Sequence, residues 1–187
     1  TIGNKHLKII TLYLGDYRKK YHLRNISRLS GIPLKTTQNI LKNLESEKIL
    51  KSETIGRNKY FMLNMENIQA KLYLMHAEIF KTSLFLEKYP LMQPFIKEIK
   101  NIHLPITVFG SFAKFSANKT SDLDLLIVSE KKQGLPKHLL PYELHEVVLK
   151  HTLFFEGLEK KEALICEILE NHIILSNFSF FINAMWK

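Results

Sequence analysis

The sequence predicts an α+β protein of two domains: a basic helical domain ending in a β-hairpin, then a small α/β domain with a mixed sheet. Three observations lead there. The net charge is confined to the first third, because residues 1–63 hold 13 Lys and Arg against 4 Asp and Glu while residues 64–187 hold 14 of each, so the +9 of the whole chain belongs to one segment. Within that segment helical apolar spacing gives way after Lys48 to the alternation of extended chain. Residues 105–130 then read as a strand, a tight turn, a loop and a second strand of branched residues.

A chain of 187 residues suffices for one ordinary domain or two small ones. Cys166 is the sole cysteine, which excludes a disulfide framework or a cysteine-based zinc site within one chain and fits a reducing compartment. No apolar run approaches the ~18 residues needed to cross a bilayer, and the first residues lack a signal-peptide pattern. A cytoplasmic location and no membrane partner are expected.

Residues 4–15 place Leu7, Ile10 and Leu14 at helical spacing, with Asn4 as N-cap and Gly15 as stop. In residues 23–50 the apolar set is Ile26, Leu29, Ile32, Ile40, Leu41 and Leu44, and Gly31-Ile32-Pro33 separates a short helix from a longer one over 34–47. Residues 49–54 and 57–63 form a hairpin around Ile55-Gly56, with Arg57 and Lys59 making its tip cationic.

Three helices followed by a basic hairpin resemble the winged-helix DNA-binding family, over residues 4–63. The resemblance implies that helix 34–47 enters the major groove of duplex DNA, with Lys35, Thr36, Thr37, Gln38 and Lys42 reaching base edges or phosphates. Arg57 and Lys59 would grip the backbone. Segregated charge favours a polyanion over a fold used only for protein contacts.

Met65, Ile68, Leu72, Met75, Ile79, Thr82 and Leu86 follow alternating steps of three and four, a heptad-like seam. Two uses stay open: a homodimer through residues 65–86, suited to a reader of two half-sites, or a helix that packs one domain on the other. Pro90 and Pro94 interrupt the pattern before a further helix at about 92–102. The expected division is therefore 1–63, a connecting helical segment 64–104, and 105–187.

In that last domain residues 106–109 are a short apolar strand, Gly110-Ser111 a tight turn and residues 123–128 a buried strand. Glycine after a strand lets backbone approach phosphate closely, and the serine offers both its hydroxyl and its N–H to phosphate oxygens. Asp122 and Asp124 are one residue apart, so on an extended chain both point to one face. Two carboxylates so placed repel unless a cation lies between them, and Mg²⁺ takes one or two carboxylates plus substrate phosphate oxygens.

Phe109, Gly110, Ser111, ten residues, then Asp122-Leu123-Asp124 resemble the signature of the DNA polymerase β nucleotidyltransferase superfamily. The resemblance implies an NTP substrate, ATP as the first choice, and two Mg²⁺ ions held by Asp122 and Asp124. It further implies that Gly110, Ser111 and Lys114 contact nucleotide. Phe115 departs from the pattern, since small relatives carry Gly there.

The superfamily's third carboxylate, on a later strand, helps activate the nucleophile. The next strand is expected over 142–149, where Glu143 and Glu146 lie on opposite faces; Glu146, deeper in the apolar stretch, is the expected base because buried acids need a partner. His145 reads as an exposed strand residue or a neighbour of the site, Ser121 as a turn residue and His172 as structural. The tail, 162–187, reads as helical and apolar, covering the sheet, with an aromatic patch as the alternative.

Two functions fit. In one the protein transfers a nucleotidyl group to an acceptor, and the resemblance to antitoxins that modify a partner makes a protein hydroxyl a reasonable acceptor. In the other, a DNA-binding regulator senses nucleotide without turnover.

Overall fold

The computed structural model describes residues 3–99, 101–132 and 134–186. It divides into two compact units, one running to Phe80 and taking in Met185 and Trp186, the other Lys81–Ala184. The division falls inside one long helix, between Phe80 and Lys81.

In the first unit α1 (Asn4–Ile10) is prolonged by a 3-10 turn, Thr11–Tyr13. Gly3, not Asn4, stands at the N-cap. A two-residue strand β1 (Tyr21–His22) leads into α2 (Leu23–Ser30), which Gly31 ends in the left-handed conformation at φ 65°. Pro33 opens α3 (Leu34–Ser46), where its fixed φ suits the helix start and its missing N–H costs nothing. The hairpin of β2 (Leu50–Ile55) and β3 (Asn58–Leu63) closes a sheet of order β1-β3-β2, antiparallel throughout. Ile9, Ile10, Tyr13, Ile26, Leu41, Leu44 and Ile49 are its buried centre.

The long helix α4 (Ile68–Lys88) gives Ala70, Leu74 and Ala77 to that core and Phe85 to the second. Of the heptad-spaced set, Ile68, Leu72 and Ile79 are 65, 52 and 46 % exposed, whereas Thr82 is buried and Met65 and Leu86 each pack against a core.

The second unit follows a 3-10 turn, Pro90–Met92, with α5 (Gln93–Ile99), β4 (Ile106–Phe109), α6 (Gly110–Ala113) and β5 (Leu123–Val128). Then come β6 (Leu144–Leu149), α7 (His151–Lys160), α8 (Ala163–Glu170), β7 (Ile173–Ser176) and α9 (Phe178–Met185). The sheet has order β6-β5-β4-β7, with β5 and β6 parallel and the other pairs antiparallel, so it is mixed as expected. The tail is not wholly helical, since β7 pairs with β4 and is fixed there by Thr107 Oγ1 and Thr82 Oγ1, which donate to the carbonyls of Ile173 and Ile174 at 2.9 Å each. Strand alternation sorts the sheet into two faces. Leu123, Leu125, Ile127, Leu144 and Val148 face one core, and Leu126, Val128, Val147 and Leu149 the other, under Phe154 and Phe181.

No described helix is long and apolar enough to cross a membrane.

Candidate functional site

The chain reverses at the end of β4, and the geometry there depends on glycine. Phe109 pairs with Asp124 across β4 and β5, so the next residue, Gly110, comes up against the aspartate side chain. Gly110 has φ 67°, and a Cβ built on it would lie 2.2 Å from Asp124 Oδ2. Only glycine meets both demands. Gly110→Ala is expected to lower stability by roughly 1–2 kcal/mol from the left-handed backbone alone and to displace the carboxylate as well. Denaturant unfolding beside a divalent-ion titration checks both effects.

Ser111 follows in the first turn of α6, half-buried, and its carbonyl accepts from the backbone N–H of Ser116 at 3.0 Å. The loop back to β5 is wired by Asn118, whose Oδ1 accepts from the Thr120 backbone N–H and hydroxyl at 2.9 and 2.8 Å. The Ser121 hydroxyl accepts from the Asn118 N–H at 2.9 Å, a turn role, and the chain is thereby held where it enters Asp122.

Asp124 lies in β5, and Asp122, one residue before the strand, is exposed. Their spacing puts both on one face while the ladder continues beneath them, with the Leu123 N–H donating to the Glu143 carbonyl at 2.8 Å. In the parallel register Asp124 pairs with His145 and Leu125 with Glu146. Paired residues share a face. His145 Nδ1 accordingly lies 3.0 Å from Asp124 Oδ1, with the two side chains 66 and 26 % exposed.

Glu146 does not join them. It lies on the opposite face, level with Leu125, where its Oε2 meets Lys137 Nζ at 3.1 Å. Its Oε1 is buried and accepts no hydrogen bond from the described residues. The expectation of a base at Glu146 is corrected by alternation: depth in the apolar stretch measured burial, and burial belongs to the far face. Alternation instead puts Glu143, exposed and just before β6, on the face of His145.

Lys114 is turned to Glu167 of α8, its Nζ 3.3 Å from the carboxylate, an exposed pair of little energetic weight. Phe115 occupies the left-handed region at φ 57°, where glycine is favoured. Its ring stacks on Tyr89 and meets Phe85 edge-on, contacts that a glycine lacks. His172 is buried, with Nδ1 2.8 Å from the Leu169 carbonyl.

In the first unit Lys35 and Lys42 are exposed along α3, Thr36 and Gln38 half-buried, and Arg57 exposed at the hairpin turn. Thr37 is a correction, for it is fully buried and its hydroxyl donates to the carbonyls of Ile32 and Pro33 at 3.1 and 3.2 Å. Lys59 is already engaged, its Nζ 2.8 Å from Glu45 Oε2 and lying over the Phe61 ring. Glu45 also accepts from the Ser52 hydroxyl. Hydrogen bonds from Lys59 and Ser52 hold its carboxyl below the ordinary carboxylate value, against the opposing effect of burial.

Among the described residues no three His, Cys, Asp or Glu side chains form a ready-made metal cage. Two carboxylates on one accessible face nevertheless suit a hard cation that completes its shell with water and substrate oxygens. His145, read from the sequence as an exposed strand residue or a neighbour of the site, is both exposed and beside Asp124.

Residues 93–181 match the family model described as a nucleotidyltransferase domain, a span that runs from α5 into α9 and contains Gly110, Ser111, Asp122, Asp124 and His145. Comparison with curated proteins and with solved structures gave no match.

Proposed function

We propose that the second unit transfers a nucleoside monophosphate from an NTP, ATP first among them, to an acceptor hydroxyl. The observation that carries this reading is the closeness of Gly110 to Asp124 within a stretch matching a nucleotidyltransferase domain. Gly110 and Ser111 offer backbone and hydroxyl to the triphosphate, and Asp122 and Asp124 hold the cation. Bound Mg²⁺, two ions in the full form, supplies neutralisation of the triphosphate and charge stabilisation at the α-phosphorus. His145 Nδ1 lies 3.0 Å from Asp124 Oδ1, which puts the imidazole beside the cation's place, and the acceptor hydroxyl gives its proton to solvent water. The acceptor oxygen bonds to the α-phosphorus, the α–β bridging bond breaks and pyrophosphate leaves. An NTP labelled at the α-phosphate tests this: label on a protein, RNA or DNA acceptor with pyrophosphate release supports it, and neither product from any acceptor class contradicts it.

A second reading keeps the site for nucleotide sensing without turnover. It is favoured by one observation, that Glu146 faces away from Asp124. Nucleotide binding that depends on a divalent ion, with no pyrophosphate released, would select it.

The first unit, on this proposal, reads duplex DNA as a winged helix, presenting Lys35, Gln38 and Lys42 from α3 and Arg57 from the hairpin. Because Lys59 already pairs with Glu45, it adds little to phosphate binding. Arg57→Ala is expected to lower the salt slope of binding by about 0.9 and Lys59→Ala by clearly less, measured by fluorescence anisotropy. Glu45→Gln frees Lys59 and tightens binding. The Glu45 tie is intact at neutral pH and is lost as pH falls below the carboxyl's ordinary value of 4.5, since the folded state holds it lower.

A further inference from the structure

We infer that His145 is a direct metal ligand, and that it makes the site favour a first-row divalent ion such as Mn²⁺ or Co²⁺ over Mg²⁺. The inference rests on the nucleotidyltransferase reading above and concerns which cation that site takes.

Its first support is distance. His145 Nδ1 and Asp124 Oδ1 are 3.0 Å apart. Neighbouring ligand atoms in an octahedron with bonds of about 2.1 Å are separated by about 3.0 Å, so one ion can touch both atoms without backbone movement. The parallel register fixes this pair, because Asp124 and His145 stand side by side on one face of β5 and β6.

Its second support is what stands elsewhere. Glu146 is on the far face and engaged with Lys137, so β6 sends an imidazole rather than that carboxylate toward Asp124. His145 is two-thirds exposed and fills no core.

Its third support is donor chemistry. Mg²⁺ is a hard ion that takes oxygen and sheds water reluctantly, whereas imidazole suits transition ions, whose affinity for nitrogen rises along the first row. Asp124 with His145 therefore forms a mixed oxygen–nitrogen pair in which Mg²⁺ loses a donor it accepts well. A histidine that only oriented Asp124 would leave this preference unchanged.

The whole 187-residue chain is titrated with Mn²⁺ and with Mg²⁺ in the presence of α,β-methylene-ATP, which cannot transfer its nucleotide. The Mn²⁺ complex is then examined by electron spin-echo envelope modulation for ¹⁴N coupling. The expected result is ¹⁴N coupling in the wild type that disappears in His145→Asp and His145→Ala. The Mn²⁺-over-Mg²⁺ preference should fall by about tenfold in His145→Asp, the size expected when a ligand set is altered. Comparing variants cancels the preference of the nucleotide itself. Ion binding that Asp124→Asn abolishes, but with no ¹⁴N coupling or an unchanged preference in His145→Asp, overturns the ligand assignment alone. No divalent dependence in the wild type removes the nucleotidyltransferase reading together with it.

Discussion

Asp124→Asn is expected to abolish the proposed transfer, whereas Glu146→Gln is expected to leave it within a few-fold of wild type. Asp124 faces Gly110 and His145, so on the proposed reading its carboxylate is where cation and triphosphate meet. The amide keeps the shape and loses the charge, and an uncompensated triphosphate then faces Asp122 alone. A loss of at least about 10²- to 10⁴-fold in rate is expected, comparable to removal of a catalytic acid or base. Glu146 is on the other side of the sheet and can act only through stability. Its Oε1 is buried without a hydrogen bond from the described residues, so neutralising it removes a cost while weakening the contact with Lys137. Initial rates of pyrophosphate release for the two variants separate these roles. Full activity in Asp124→Asn contradicts the site, and a comparable collapse in Glu146→Gln restores that residue to it.

Duplex DNA binding by the whole chain, on the proposed reading, is expected to fall by about 10³- to 10⁵-fold between 50 and 200 mM salt if the basic surface makes the ~6–10 phosphate contacts that such a slope requires. The cause is the +9 carried by residues 1–63. The intact chain is the right material, because a fragment ending at residue 63 lacks Ala70, Leu74 and Ala77 of the first core. Tyr17 would also lose Trp186, whose ring lies 6.3 Å away. Gln38→Ala is expected to change sequence preference with little change in slope, since an uncharged side chain contributes no counterion release. Anisotropy titrations over a duplex pool check both, and binding indifferent to salt would remove the DNA reading.

Much of the candidate site was legible in the sequence because it is local. Gly110, Ser111, Asp122 and Asp124 lie within one β-turn-β excursion, and strand alternation fixes where both carboxylates point. The hairpin of β2 and β3 was legible for the same reason, with its turn at Gly56 marked by glycine beside a basic residue. What failed was long-range. Facing Glu146 toward Asp124 required the register of β6 on β5, which apolar depth does not supply. Lys114 reaches Glu167 across 53 positions, a pairing no spacing announces. Thr37 carries a polar side chain on what had been read as a contact surface, yet its hydroxyl is spent on the turn that opens α3. β7 was hidden because Ile173-Ile174-Leu175 is too short to tell a buried strand from a helix by period.

Gly110-Ser111 and Asp122-Leu123-Asp124 are proposed to bind an NTP together through a divalent ion. Calorimetric titration of the wild type with ATP, in saturating Mg²⁺ or Mn²⁺ and again in chelator, tests it most directly. Saturable binding is expected with the ion, none in chelator, and none in the Asp122→Asn/Asp124→Asn double variant. Binding of equal strength in chelator, or undiminished in the double variant, would contradict it.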